Sequence, residues 1–429
     1  MNILIAILIF GFIVVIHELG HFIFAKINGI YVSEFSVGFG PRLLSKKIGE
    51  TRYSLKLFPL GGSCAMMGEE EESTDARAFS NKSVGARFWV IFGGPLFNFI
   101  LAFLMAVIMI VSVGIDKPYV LAVKEDSLAA QNGLEPGDLV IAINGEKIHL
   151  GRDYYITDYF EDFGETVELT VLRNGEEKKI TIDTLYQYYG LGFSYSPDEK
   201  NVELLSVEKN GPLGQAGLAI GDIITKLDDT EINNGEDLAK YKEEVGFSDR
   251  EIKVTYMRNN KEHEVTVTPK QINSYSLSQY VNINTYRDKV GFLEAMKYSV
   301  YEMEYQVSVV YKSLGFLFTG KASMNDVSGP VRMVSVIGDT VEESKEYGMD
   351  SVIFSIMNII ILLSVNLGVM NLLPFPALDG GHLVFIILEA IRKKKIPQEK
   401  EAMVHFAGIM ILFAFMIFVF YNDIKNIFF

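Results

Sequence analysis

Between Ile3 and Ala25 the chain is apolar and long enough to cross a bilayer, yet that run contains His17-Glu18-Leu19-Gly20-His21. Ionisable side chains in hydrocarbon are costly unless they pair or face a water-filled cavity, so their presence points to function. On a helix, residues four apart are rotated by only about 40° and rise about 6 Å. Both imidazoles then face one side and can bind one tetrahedral metal, with Glu18 beside them as a base for water. The bland alternative, a satisfied polar patch on a core helix, suits a soluble interior better than a bilayer.

Three further apolar stretches are long enough to span, at 88–115, 352–373 and 403–420. A hydrophobic share of 49% over 429 residues suits a chain that is part membrane and part water-exposed. The first stretch begins at residue 2, has no basic leader and shows no small-residue cleavage site before Glu18, so it is expected to be a retained helix and not a removable signal peptide. Lys and Arg set the expected orientation. Arg392-Lys393-Lys394-Lys395 follow the third stretch, which makes that side cytoplasmic, and alternation puts the basic loop between the first two stretches there too. Residues 116–350 are then extracytoplasmic. They hold 41 acidic against 24 basic side chains, which argues against a nucleic-acid partner. Cys64 is the only cysteine, so no intrachain disulfide can form.

The external region repeats itself. Gly133-Leu134-Glu135-Pro136-Gly137-Asp138 returns as Gly217-Leu218-Ala219-Ile220-Gly221-Asp222, and Arg173-Asn174-Gly175 returns as Arg258-Asn259-Asn260. Each copy reads as short alternating strands, a small-residue helix start and turn signals such as Asn144-Gly145. The pattern resembles the PDZ domain. Gly190, Leu191, Gly192 and Phe193 match its carboxylate-binding loop, in which consecutive backbone N–H groups capture a peptide terminus. That loop could open the second unit, or close the first if the domain is circularly permuted. Beyond the repeat, apolar residues from Leu293 through Met296, Val300, Met303, Val307, Val310 and Leu314 to Leu317 predict a long amphipathic helix, packed on a domain or lying in the membrane interface.

Two histidines are one ligand short of a catalytic zinc site. Both lie near the cytoplasmic end of the first span, so the third ligand is expected near the cytoplasmic end of another. The third span ends there and runs into Asn371-Leu372-Leu373-Pro374-Phe375-Pro376-Ala377-Leu378-Asp379-Gly380-Gly381, which nominates Asp379. The two prolines forbid regular helix, and irregular backbone at membrane depth is tolerated where it lines a cavity. Taken alone, Asp379 reads as a helix N-cap for the segment starting near Gly380, and its convergence with the histidines is what favours the ligand.

With these motifs in place the chain resembles the site-2 protease family of intramembrane zinc metalloproteases, bacterial RseP type, over nearly its whole length. The resemblance implies one zinc held by His17, His21 and Asp379, with Glu18 as catalytic base. It also implies that substrate contacts come from Gly61 and Gly62 in a strand-forming loop at 53–62, from Gly94 and Asn98 in the second span, and from Asn371 and Pro374. Gly329-Pro330-Val331 matches a family sequence for which the residues suggest no role. His149, His263, His382 and His405 are expected to be ordinary histidines, with His382 near enough to Asp379 to support it.

The expected fold is a multi-span α-helical membrane protein of about four transmembrane helices with two inserted extracytoplasmic PDZ-like α+β domains. Its expected segments are a membrane part at 1–115, PDZ-like domains at 116–193 and 194–272, a helical connector at 273–350 and a second membrane part at 351–429. The expected setting is the bacterial cytoplasmic membrane, with the site near the cytoplasmic face. Expected partners are single-span membrane proteins as substrates, peptide or protein termini at the PDZ units, and the lipid bilayer. The rivals are a PDZ scaffold that has lost catalysis and a zinc transporter. Glu18 argues against the first, since a scaffold needs no base beside a metal. Four spans with no further intramembrane ligands argue against the second.

Overall fold

The computed structural model describes residues 2–69, 73–196, 200–283, 286–321 and 329–428, so most of the acidic run Glu69 to Glu72 lies outside it. The chain forms two bodies, one of residues 1–117 with 285–429 and one of residues 118–284.

Four described helices of the first body are long and apolar enough to cross a membrane, over Leu4–Ile27, Val84–Val113, Met349–Leu372 and Glu399–Asp423. Small residues let the first two approach closely. A Cβ on Gly20 would lie 2.1 Å from the Gly93 carbonyl oxygen, and one on Gly93 would lie 2.8 Å from that of Gly20. Ala6, Ile9, Ile13, Leu101 and Leu363 of these helices form an apolar core with Ile337 of the helix Pro330–Glu346. The short helix Asp379–Arg392 is tied to the second long helix by an ion pair, Arg87 Nη2 to Glu389 Oε1 at 2.7 Å.

Between the first two long helices, Val32–Ile48 and Thr51–Met66 fold into one mixed sheet, in which 34–37 run antiparallel to 62–65 and in the same direction as 52–55. Because 34–37 pair with both 52–55 and 62–65, while 52–56 also pair with 42–47, the order is 42–48, 51–56, 32–37, 62–66. Among the described residues no strand pairs with the outer edge of 62–66.

The helix Phe292–Thr319 carries the expected apolar stripe, which is exposed at Leu293, Met296 and Val300, half-buried at Met303, Val307, Leu314 and Leu317, and buried at Val310. Leu293 is 80% exposed and Val300 55%, while the buried row is Ala295, Ser299, Glu302, Gln306 and Val310, with Gln306 bonded to Glu302 at 3.0 Å. Gly329-Pro330-Val331 also finds a role at the start of the helix Pro330–Glu346. The buried carboxylate of Asp423 accepts from Gly329 N at 2.9 Å and from Val331 N and Arg332 N at 3.1 Å each, satisfying donors that a helix start leaves open.

The second body holds two apolar cores. One joins Val140, Tyr154, Leu169 and Ile182 to Leu277, Val281 and Ile283. The other runs from Leu191 through Ile224 and Leu238 to Val267. Leu185–Gly190 pairs antiparallel with Lys270–Tyr275, from Leu185 opposite Tyr275 to Gly190 opposite Lys270. The second lobe is thus inserted into the first, and two expected boundaries shift. Residues 277–283 complete the first core and do not belong to a connector, and the break near 193/194 moves back, since Leu191 is buried in the second core. The loop Gly190 to Phe193 opens the second lobe, with Phe193 paired to Val207 and Ser194 to Ser206. Within this loop Gly192 has φ +75°, and a Cβ there would sit 2.9 Å from Gly211 Cα.

The two copies of the repeat build the same clamp. Arg173 Nε and Nη2 bond Asp138 Oδ1 and Oδ2 at 2.5 and 2.6 Å, and Nη2 also reaches the Gly133 carbonyl at 2.6 Å. Arg258 bonds Asp222 at 2.7 and 2.6 Å and the Gly217 carbonyl at 2.9 Å. Burial pushes both carboxyls upward in pKa, but the arginine bonds and one backbone N–H outweigh it and hold them below the ordinary aspartate value. A lowered native pKa means stability that is complete above about pH 4 and is lost as pH falls through the native value. Hydrogen exchange of the full-length protein should therefore show strands Thr166–Arg173 and Ile252–Arg258 losing protection below about pH 4. Arg173→Gln, which takes the guanidinium donors from the buried Asp138 and leaves it the Glu135 N–H, should cost about 1–3 kcal/mol at pH 7 and flatten that dependence in the first strand. An unchanged pH profile in Arg173→Gln would remove the clamp as its source.

Candidate active site

His17 and His21 lie one turn apart on the helix Asn2–Ile27, with Nε2 atoms 3.2 Å from each other. Asp379 Oδ2 lies 3.2 Å from His17 Nε2 and 3.5 Å from His21 Nε2. Tetrahedral zinc with bonds of about 2.0–2.1 Å needs ligand atoms about 3.3–3.4 Å apart, so the triangle has the size of one tetrahedral face. Direct bonding is a poorer account of it. The rings meet edge to face at 83°, and Asp379 Oδ2 is buried with no hydrogen-bond donor in bonding geometry. An acceptor sequestered between two ring nitrogens is what a cation would satisfy.

The outer ring nitrogens are held so that both Nε2 atoms face Asp379. His21 Nδ1 donates to the Val90 carbonyl at 2.8 Å. His17 Nδ1 lies 3.1 Å from the Asn98 amide, which is 0% exposed and whose Oδ1 otherwise has no partner. Turning that amide lets Oδ1 accept the His17 Nδ1–H, as the ring of a metal-binding histidine requires.

Gly94 belongs to the same support. A Cβ there would stand 2.3 Å from His21 Nε2 and 2.8 Å from His17 Cε1. Gly94 and Asn98, which the family resemblance marked for substrate, thus lie against the histidines, where Asn98 is enclosed.

Asp379 is delivered by a turn. The helix Met349–Leu372 stops before Pro374, Ala377 takes a left-handed φ of +83°, and Asp379 begins the next helix. That helix tucks under the turn because Gly380 and Gly381 have no side chains; a Cβ would lie 2.1 Å from the Leu373 carbonyl and 2.5 Å from that of Phe375 respectively. Asn371 stands at the rim, half-buried, with Nδ2 3.4 Å from His17 Nε2, and Pro374 is exposed. His382 does not reach Asp379. It pairs with Glu401 Oε1 at 3.2 Å and stacks on His405.

Glu18 is the next residue after His17 on the same helix, half-buried, and the free-edged segment 62–66 runs past it. A Cβ on Gly62 would meet Glu18 Cγ at 2.9 Å. Gly61 has φ +107° and leaves its side-chain space to the Phe39 ring, 2.0 Å away. A triangle of groups that could hold a metal ion, a carboxylate and a sheet edge with no further strand paired to it among the described residues therefore converge at one place.

Residues 5–415 match peptidase family M50. A protein of Clostridium acetobutylicum named as a zinc metalloprotease is 31% identical, over 99% of this chain and 97% of its own. The regulator of sigma E protease of Haemophilus influenzae is 30% identical over 96% of each, and the zinc metalloprotease RasP of Shouchella clausii 28% over the whole of both. Among solved structures, the PDZ domain of HtrA3 bound to a phage-derived ligand aligns with 21% of this chain at 15% identity and a TM-score of 0.18. With a profile match over nearly its full length and relatives similar from end to end, the chain belongs to peptidase family M50 and is a zinc metalloprotease of bacterial membranes.

Proposed function

We propose that the enzyme hydrolyses peptide bonds inside the transmembrane segments of single-span proteins, in regulated intramembrane proteolysis. The observation that carries this reading is the placement of a zinc-sized triangle on an apolar helix beside the free edge of a sheet. In this reading His17, His21 and Asp379 hold the zinc, and Glu18 takes a proton from the attacking water and returns it to the leaving amine. When bound, the metal lowers the pKa of water toward neutrality and polarises the scissile carbonyl. A helical substrate hides its carbonyls in i to i−4 bonds and must be unwound before it can be cut. The free edge of 62–66 offers replacement backbone bonds to an extended segment, and Asn371 at the rim offers a side-chain amide.

The Lys and Arg pattern supports a site near the cytoplasmic face, with residues 118–284 outside. The loop Gly190 to Phe193, heading the strand Phe193–Ser194, supports capture of a peptide terminus, or screening of substrates by the size of their ectodomain. Membrane-bound anti-sigma factors and remnant signal peptides fit such a reaction.

The test is zinc-dependent cleavage of a tagged single-span substrate, presented with its ectodomain intact and trimmed, by the full chain in vesicles of known sidedness. Cuts within the span, faster for the trimmed form, are expected, with a cysteine at Lys394 accessible only from the cytoplasmic side. Cleavage confined to the ectodomain would refute the intramembrane reading, equal rates for both forms would refute screening, and labelling of Lys394 from outside would refute the orientation.

A further inference from the structure

Outside the site, His382, Glu401 and His405 form a second group with the composition of a metal site. Hydrogen bonding rules against that use. His405 Nδ1 accepts the backbone N–H of Ala377 at 3.0 Å, so in the neutral ring the proton sits on Nε2, the atom that would have to ligate. The same bond gives His405 a different role, because Ala377 lies two residues before Asp379 and holds the left-handed φ of +83° that an alanine rarely adopts.

We propose that His405 and Gly408, on the last long helix, are positioning residues that fix the 374–378 turn and thereby aim Asp379 at the metal. The inference rests on the reading of Asp379 as a zinc ligand. Two independent contacts carry it. His405 accepts from the residue whose backbone is least comfortable, and the ring is held in place for this: it is 7% exposed and stacks on His382 at 3.7 Å and 15°, while His382 Nδ1 bonds Glu401 Oε1 at 3.2 Å. One turn on, Gly408 lies so close that a Cβ would stand 2.4 Å from the Pro376 carbonyl oxygen and 2.5 Å from Pro376 Cβ. The last helix thus clasps the turn at two successive residues, Pro376 and Ala377. Without the clasp, Ala377 would relax toward negative φ and carry Asp379 away from the two Nε2 atoms.

The experiment measures zinc affinity of the purified full-length chain by competition with a chelator, and the visible spectrum of its cobalt-loaded form. His405→Phe, which keeps an aromatic ring but removes the acceptor, should weaken zinc by about 10- to 100-fold, the usual cost of losing a group that orients a ligand. It should also alter the cobalt spectrum. His405→Asn, whose amide oxygen can accept from Ala377, should stay near the parent. Gly408→Ala should weaken zinc in the same way, and serves if His405→Phe does not fold. Parent-like affinity in His405→Phe or Gly408→Ala, or a loss in His405→Asn as large as in His405→Phe, would overturn the proposal. Asp379→Asn separates the two readings. If it retains zinc, the ligand assignment fails; if it loses zinc while His405→Phe does not, only the positioning role fails.

Discussion

Glu18→Gln is expected to leave zinc bound and to stop proteolysis, lowering turnover by roughly 10²- to 10⁴-fold, the range that a positioned general base supplies. The amide preserves side-chain shape, so the packing of Glu18 against Gly62 survives and only the capacity to take a proton is removed. His21→Ala should behave differently. It deletes a corner of the triangle, so metal and activity fall together. Metal content by atomic spectroscopy and cleavage of a tagged substrate, measured on the same preparations, distinguish the two. Equal zinc loss in Glu18→Gln and His21→Ala would show that Glu18 is itself a ligand, and the base would have to be sought elsewhere.

Gly94→Ala is expected to be as damaging as removal of a ligand, although it adds only a methyl group. That methyl would lie 2.3 Å from His21 Nε2 and 2.6 Å from its Cε1, well inside van der Waals contact. Relief by withdrawal of the helix Val84–Val113 would pull apart the close crossing of Gly20 and Gly93 one residue away and lose its packing. The imidazoles must turn instead, and His21 then loses its bond to the Val90 carbonyl. A drop in zinc affinity of about 100-fold or more is expected, beyond the 10- to 100-fold that outer groups usually cost. Gly85→Ala, on the same helix with nothing within 4 Å of the added carbon, is the control and should be silent. Normal zinc binding by Gly94→Ala would mean that the helix pair is looser than its glycine crossing implies.

That His17, His21 and Asp379 come together was legible because helical spacing and the order of the spans specify it. Helical spacing places His17 and His21 on one side, and the alternation of spans brings the end of the third to the same depth. The supporting residues were not legible in that way. Gly94 and Asn98 act through the angle at which the second helix crosses the first, and His405 acts as a backbone acceptor 28 residues along the chain from Ala377. No local pattern marks such a role, and a lone histidine on an apolar helix reads as core. Similarly, the three-four spacing from Leu293 to Leu317 revealed a stripe but not its direction. Its first half is exposed, while Glu302 and Gln306 on the same helix are buried, with Gln306 donating to Glu302. The repeat at 84–85 residues suggested domains in tandem. Leu185–Gly190 and Lys270–Tyr275, which carry no shared motif, make one lobe an insertion in the other.

That insertion reverses the order in which the lobes can be completed as the chain is made. The inner lobe has its whole core once Val267 has emerged, whereas the outer one, begun first, still lacks Leu277, Val281 and Ile283. Its strand Val120–Val123 has no other ladder partner among the described residues until Val281–Ile283 arrives. At usual synthesis rates, the wait from Asp183 to Val281 is about 5–20 s. During that time a nascent edge of β-structure stands open to chaperones, proteases and its neighbours on the membrane.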